Sequence, residues 1–135
     1  MTFVDTNILL YAVSAAPQEA DKTAKAREIL RQPDLALSIQ VLQEFYVQAT
    51  RPTRPGHLSH QEAAGLIQLW LRFTVVDLTV AVMQSALRLK ERCQTSYWDA
   101  AILAAAHSAG CDQLLSEDLN PGQTYEGVRL VNPFQ

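Results

Sequence analysis

The sequence predicts an α/β fold: a central parallel sheet of about five short strands with helices on both faces. Two observations carry the prediction. Short apolar runs alternate along the chain with segments of helical periodicity, and no hairpin signal joins one run to the next. The first boundary, in Phe3-Val4-Asp5-Thr6-Asn7-Ile8-Leu9-Leu10-Tyr11, sets a carboxylate between an apolar run too short for a helix and one long enough to be one. That is an acid at the end of a strand. Glu44, Asp99 and Asp118 each stand at or near the start of a further predicted element. In an open α/β sheet the carboxyl ends of the strands are where ligands and ions bind, and four carboxylates converging there need a cation.

The elements follow in order. Phe3 to Val4 is a short buried strand, and Ile8 to Ala16 a helix that stops before Pro17. Glu19 to Arg31 places Ala20, Ala24 and Ile29 on one face with Lys22, Lys25 and Arg27 elsewhere, and Pro33 lies just beyond its end. Leu35 to Ser38 is an apolar strand, followed by a helix from Ile39 to Thr50 whose Val41, Leu42, Phe45 and Ala49 recur at helical spacing. Arg51 to Leu58, with two prolines and a glycine, is a loop. Ser59 and Glu62 form a capping box that opens a helix through Leu71, and the β-branched and aromatic Phe73 to Val76 is a strand ended by Asp77. Thr79 to Arg92 and the alanine-rich Ser96 to Ser108 are helices, the second closed by Gly110 as a left-handed cap. Gln113 to Leu115 and Val128 to Val131 supply the last strands. No repeat or low-complexity tract appears.

At 135 residues and 48% hydrophobic content the chain fits one domain, residues 1–135, with a substantial core. A net charge of -3 gives no long-range attraction for nucleic acid, yet a small domain carrying a metal-binding acidic cluster is anionic overall while still offering local basic patches. Cys93 and Cys111 lack the paired spacing of a zinc site and read as free thiols. The amino terminus lacks the pattern of a secretory signal, and no apolar stretch approaches the ~20 residues that span a bilayer. The expected location is cytoplasmic.

Each acid also has an ordinary reading. Asp5 suits a helix amino-terminal cap. Glu44 shares the polar side of its helix with Gln40, Gln43 and Gln48, where a solvated glutamate is commonplace. Asp99 lies three residues after Ser96, the spacing of a capping box, but the apolar Ala100 to Ala106 that follows sets it near the core without a lysine or arginine in its helix. Asp118 belongs to a polar strand-end turn in which Glu117 reads as the solvated neighbour.

Taken together, Val4-Asp5-Thr6-Asn7-Ile8-Leu9, Gln43-Glu44-Phe45, Tyr97-Trp98-Asp99-Ala100-Ala101-Ile102 and Leu114-Leu115-Ser116-Glu117-Asp118 resemble a PIN domain, and in particular the VapC-like toxins of toxin-antitoxin pairs. The resemblance spans essentially the whole chain. It implies a metal-dependent endoribonuclease in which Asp5, Glu44, Asp99 and Asp118 occupy the family's acidic positions, with Thr6, Asn7 and Ser116 at the polar positions beside them and Asn120 near the pocket. Asp5, Asp99 and Asp118 are the expected ligands of Mg²⁺ or Mn²⁺, and Glu44 the group that holds or polarises a water. The implied products carry a 5′-phosphate and a 3′-hydroxyl. The implied partners are an RNA substrate, a VapB-like antitoxin that inserts a segment near the acidic pocket, and a second copy of the chain in a homodimer. Arg51, Arg54 and His57 of the proline-rich loop are candidate RNA contacts, because phosphate binding rests on exposed positive charge.

Rival classes are weighed on the same residues. A haloacid-dehalogenase-like phosphoaspartate enzyme wants a second acid where this chain has Asn7, and a receiver domain wants a lysine after the last strand, where Asn132-Pro133-Phe134 stands. A metal-free ribonuclease could use two of His57, His60 and His107, although His57 and His60 read as surface residues. A non-toxin PIN-like nuclease and a binding-only α/β module, with the acids serving as caps, remain as alternatives. The RNA cut, the number of ions and the antitoxin are not encoded in any motif of the chain.

Overall fold

A strand buried on both faces reads as an unbroken apolar run, and the two central strands do so here. Phe3 and Val4 point to opposite faces and are both fully buried, and Leu35, Ala36, Leu37 and Ser38 are all at most 2% exposed, so helices cover both sides of the sheet. The computed structural model describes residues 1–135. In order the elements are β1 (Thr2–Val4), α1 (Thr6–Ala12), a single 3₁₀ turn at Pro17–Glu19, α2 (Ala20–Leu30), β2 (Leu35–Ser38), α3 (Ile39–Ala49) and α4 (His60–Trp70). There follow β3 (Thr74–Val76), α5 (Val80–Arg92), α6 (Tyr97–Ser108), β4 (Gln113–Leu115), β5 (Thr124–Tyr125) and β6 (Val128–Val131).

The sheet order is β3-β2-β1-β4-β6-β5. All neighbours are parallel except β5 and β6. The chain winds outward from β1 through β2 to β3, then returns to the other side of β1 with β4. Between β1 and β4 the winding direction reverses, and the carboxyl ends of strands at such a point open a crevice. The register that places it there is Val4 opposite Leu115, extended by the Asp5 amide donating to the Leu115 carbonyl at 3.0 Å.

The alternation of strands and helices matches the sequence reading, with two differences. The first helix starts at Thr6 and ends at Ala12, four residues short of the expected Ala16, because Asp5 caps it earlier and the chain turns at Val13 before Pro17. The sixth strand, β5, is a two-residue edge strand hairpinned onto β6, so the sheet is not free of hairpins. Its two-residue turn has Glu126 and Gly127 at φ 50° and 81°, the type I′ pattern, but Glu-Gly is not the asparagine- or aspartate-glycine pair that announces this turn in a sequence.

Capping was legible at Ser59, Ser96 and Gly110, while Ser38 and Thr79, read as strand end and helix start, also prove to be caps. Ser38, Ser59, Thr79 and Ser96 each accept a backbone N–H in the first turn of their helix, and Ser59 with Glu62 completes the reciprocal capping box. Gly110 closes α6 in a Schellman motif. At φ +75° its N–H donates to His107 and that of Cys111 to Ala106, both at 3.0 Å. A Cβ at Gly110 meets no atom within 4 Å, so Gly110→Ala carries the backbone term alone. It is expected to lower stability by about 1–2 kcal/mol in urea unfolding, and an unchanged midpoint would count against the cap. Cys93 and Cys111 are both free, and burial pushes the Cys111 thiol up to about 11.

Candidate active site

The four acids predicted from sequence line one cleft. Asp5, Glu44, Asp99 and Asp118, together with Thr6, Asn7, Gln40, Gln48 and Trp98, surround about 160 Å³ at the carboxyl end of β1, and no lysine, arginine or histidine is among its walls. Asp5 comes from the end of β1, Glu44 from α3 beyond β2, Asp99 from the first turn of α6, and Asp118 from the turn after β4.

Asp5 is the buried member, 8% exposed. It is both cap and cleft residue, since one carboxylate oxygen accepts the Thr6 N–H at 2.7 Å and the other the Ser116 hydroxyl at 2.7 Å. Burial pushes its carboxyl up to about 6 against those two hydrogen bonds, and the negative charges of Glu44 and Asp118 push the same way. Glu44 is not a solvated residue of a polar face. Its two oxygens accept from the Thr6 hydroxyl at 2.9 Å and the Gln40 amide at 3.0 Å. Asn7 donates to Asp118 at 3.1 Å and to the Ser116 hydroxyl at 3.3 Å, which draws the β4 turn against the start of α1. At Asp99 the half of a capping box that forms is the Ser96 hydroxyl accepting the Asp99 N–H at 3.1 Å. The carboxylate does not reach back to Ser96; it takes only a 3.4 Å bond from the Thr95 hydroxyl.

Gln40 is the site residue that sequence reasoning placed wrongly. It is 6% exposed, lines the cleft and spans Glu44 and, at 3.4 Å, the Trp98 carbonyl. The signal was its place four residues before Glu44 on one helix face. Glu117 is likewise not solvated, for its carboxylate accepts from Lys22 and Tyr11. Asn120 is exposed and does not line the cleft. Arg51 and His57 are exposed on the proline-rich loop, and the half-buried Arg54 lines a separate hollow of about 300 Å³ with Glu19, Ser14 and Leu58. None of the three borders the acids, while His60 is engaged by Tyr46 through its Nδ1 at 2.9 Å. A larger apolar groove of about 350 Å³ shares Gln40 and Trp98 with the cleft but contains only one acid, Asp77.

The donor set is all oxygen, which suits a hard divalent cation, and no side-chain cation lines the cleft to offset the four carboxylates. As placed, no three His, Cys, Asp or Glu side chains close on one ion position. Asp5 is fixed by its two hydrogen bonds, so closing carboxylates on one ion takes movement of the half-buried Asp99 and the exposed Asp118, or bridging waters.

The PIN domain family model matches residues 2–126. The chain belongs to the PIN domain family. No curated protein matches the sequence closely, whereas solved structures match its fold. A toxin-antitoxin complex from Klebsiella pneumoniae superposes with a TM-score of 0.74 at 20% identity, covering 100% of this chain and 99% of the other. VapC20 of Mycobacterium tuberculosis, described as a sarcin-ricin loop cleaving toxin, gives a TM-score of 0.66 at 20% identity over 84% of this chain and 87% of its own. VapBC2 from Rickettsia felis, solved bound to a DNA fragment from its promoter, gives 0.63 at 15% identity over 96% of each chain. At these identities the likeness is one of fold. No helix of this PIN domain is long and apolar enough to cross a membrane.

Proposed function

We propose that this PIN domain is a metal-dependent endoribonuclease and the toxin of a toxin-antitoxin pair. The observation that carries the reading is the convergence of four carboxylates from β1, α3, α6 and the β4 turn on one cleft whose lining includes no basic side chain. Four caps that merely happened to be acidic would have no reason to share a cavity. Asp5 and Asp99 hold the ion, Mg²⁺ or Mn²⁺, with Asp118 contributing directly or through a water. The bound cation supplies Lewis acidity toward a phosphate oxygen and lowers the pKa of a water for in-line attack. Asp5 is fixed by Thr6 and Ser116, so it sets the position of the phosphate relative to the sheet edge. Glu44, itself held by Thr6 and Gln40, would hold or polarise a water beside Asp5. Cleavage leaves a 5′-phosphate and a 3′-hydroxyl.

The toxin role and a VapB-like antitoxin are supported by the fold likeness to toxin-antitoxin complexes; a cytoplasmic location and a homodimer belong to the same proposal. A non-toxin nuclease of the same chemistry is the closest competitor, and the gene immediately upstream separates the two: a small DNA-binding protein with a tail favours the toxin.

Chelator-stripped protein is expected to lose cleavage of a single-stranded RNA and to regain it with Mn²⁺ or Mg²⁺. Expression of the wild type, and not of Asp5→Asn, is expected to arrest growth. Cleavage that survives chelation would return the reading to a histidine-based ribonuclease, and cleavage without growth arrest would remove the toxin role.

A further inference from the structure

Glu117 takes no part in the chemistry above, yet it is a heavily held carboxylate beside the cleft. It sits between Ser116 and Asp118 and accepts from Lys22 of α2 and from the Tyr11 hydroxyl of α1. Lys22 also donates to that hydroxyl at 3.3 Å, and its ammonium lies 5.0 Å from the Tyr11 ring and 5.8 Å from that of Phe134. The two rings meet edge to face at 5.0 Å. The pair is half-buried, its side chains 40% and 26% exposed, so solvent screens it less than an open surface ion pair. On its other side the turn is tied firmly at Ser116, whose N–H donates to the Val131 carbonyl at 3.0 Å and whose hydroxyl donates to Asp5 at 2.7 Å. Beyond Ser116 the bonds are longer: Asn7 donates to Asp118 at 3.1 Å, the Glu117 N–H to Asn7 at 3.4 Å and the Asp118 N–H to Ser116 at 3.2 Å.

We propose that Glu117 is a positioning residue: clamped by Lys22 and Tyr11, it fixes the turn beyond the anchored Ser116 so that Asp118 meets the cleft in one arrangement. Without the clamp, the part of the turn beyond Ser116 is held only by bonds of 3.1–3.4 Å, from the Asn7 amide to Asp118, from the Glu117 N–H to Asn7 and from the Asp118 N–H to the Ser116 hydroxyl, toward the long end of the hydrogen-bond range. The consequence for metal binding rests on the nuclease reading, whereas the clamp is a property of the metal-free fold. The two are measured separately.

The test uses the whole protein. Backbone order parameters of residues 117–120 are measured by ¹⁵N relaxation without metal, and the midpoint of the Mn²⁺-dependent rise in melting temperature is measured alongside. In Glu117→Ala the order parameters are expected to fall from about 0.85 to below about 0.6, and the Mn²⁺ midpoint to rise about tenfold, as for loss of a group that orients a metal ligand. Lys22→Met should shift both the same way by less, and Glu117→Gln, which keeps an acceptor for Tyr11, should lie nearest the wild type. Arg92→Ala, which breaks the exposed Arg92–Glu126 pair, should move neither. Unchanged order parameters in Glu117→Ala overturn the proposal whatever the metal does. Loosening with an unmoved Mn²⁺ midpoint reduces Glu117 to a structural residue and overturns it too. Should the wild type itself show no Mn²⁺ response, the nuclease reading falls and the order parameters alone decide the clamp.

Discussion

Asp99→Asn is expected to lower RNA cleavage more than about 100-fold, beyond the ~10–100-fold that follows loss of a mere outer partner of a metal ligand, while leaving the metal-free melting temperature unchanged or raised. The two halves have one cause. Ser96 caps α6 through the Asp99 N–H, which asparagine keeps, and the lost carboxylate made only the 3.4 Å bond from Thr95. Were the side chain a true cap, its loss in Asp99→Ala would cost about 0.5–2 kcal/mol with or without metal. Removing one negative charge from an acidic cleft instead relieves repulsion, and it abolishes the stabilisation that Mn²⁺ gives the wild type by binding the folded state. Calorimetry of wild type and variant, each with chelator and with Mn²⁺, reads both effects. A variant that melts lower in chelator but keeps the full Mn²⁺ rise would make Asp99 structural and remove it from the site.

The second large effect is on the pH dependence of the metal-free protein. Burial raises the Asp5 carboxyl from 3.8 to about 6, so the folded state holds a proton that the unfolded chain has released. Its contribution is fully present below pH 3.8 and is lost as pH rises through about 6. About two units correspond to about 3 kcal/mol. Other acids oppose it, since Glu62 and Glu117 titrate below their ordinary values, and the measurement is therefore a difference. Urea unfolding in chelator should find Asp5→Asn gaining on the wild type by about that amount between pH 3.5 and 7.5. A difference that stays flat across this range would mean that Asp5 ionises without penalty in the fold and would undercut the claim that the cleft needs a cation.

What could be read from the sequence was what short spacings encode. Strand-then-acid at Val4-Asp5, Ser-x-x-Glu at Ser59, and glycine after an alanine-rich helix at Gly110 each specify local geometry within a few residues, and each is found. The sequence also raised cap and cleft as competing roles for Asp5, and the fold assigns both to it, because a cap points its carboxylate at the helix start and the helix start is the cleft wall. What was hidden depended on partners far along the chain. Glu117 looked solvated because Lys22 lies 95 residues before it. Gln40 looked like the polar side of an amphipathic helix because the Trp98 carbonyl that buries it comes from α6. The loop arginines illustrate the converse: positive charge and prolines are visible in a sequence, but whether such a loop borders a site is decided by helix packing, and here Arg54 borders a different hollow.

The sheet order carries a consequence for the timing of activity. β1 pairs on one side with β2, some thirty residues on, and on the other with β4, and the bond that holds Asp5 comes from Ser116, 111 residues away. A chain emerging from the ribosome amino-terminus first therefore exposes Asp5 and Glu44 well before the strand that completes their setting exists. Because contacts at such separation are slow to form, the cleft is completed only near the end of synthesis, and a chain truncated before the β4 turn keeps Asp5, Glu44 and Asp99 but lacks both Asp118 and the Ser116 hydroxyl that holds Asp5.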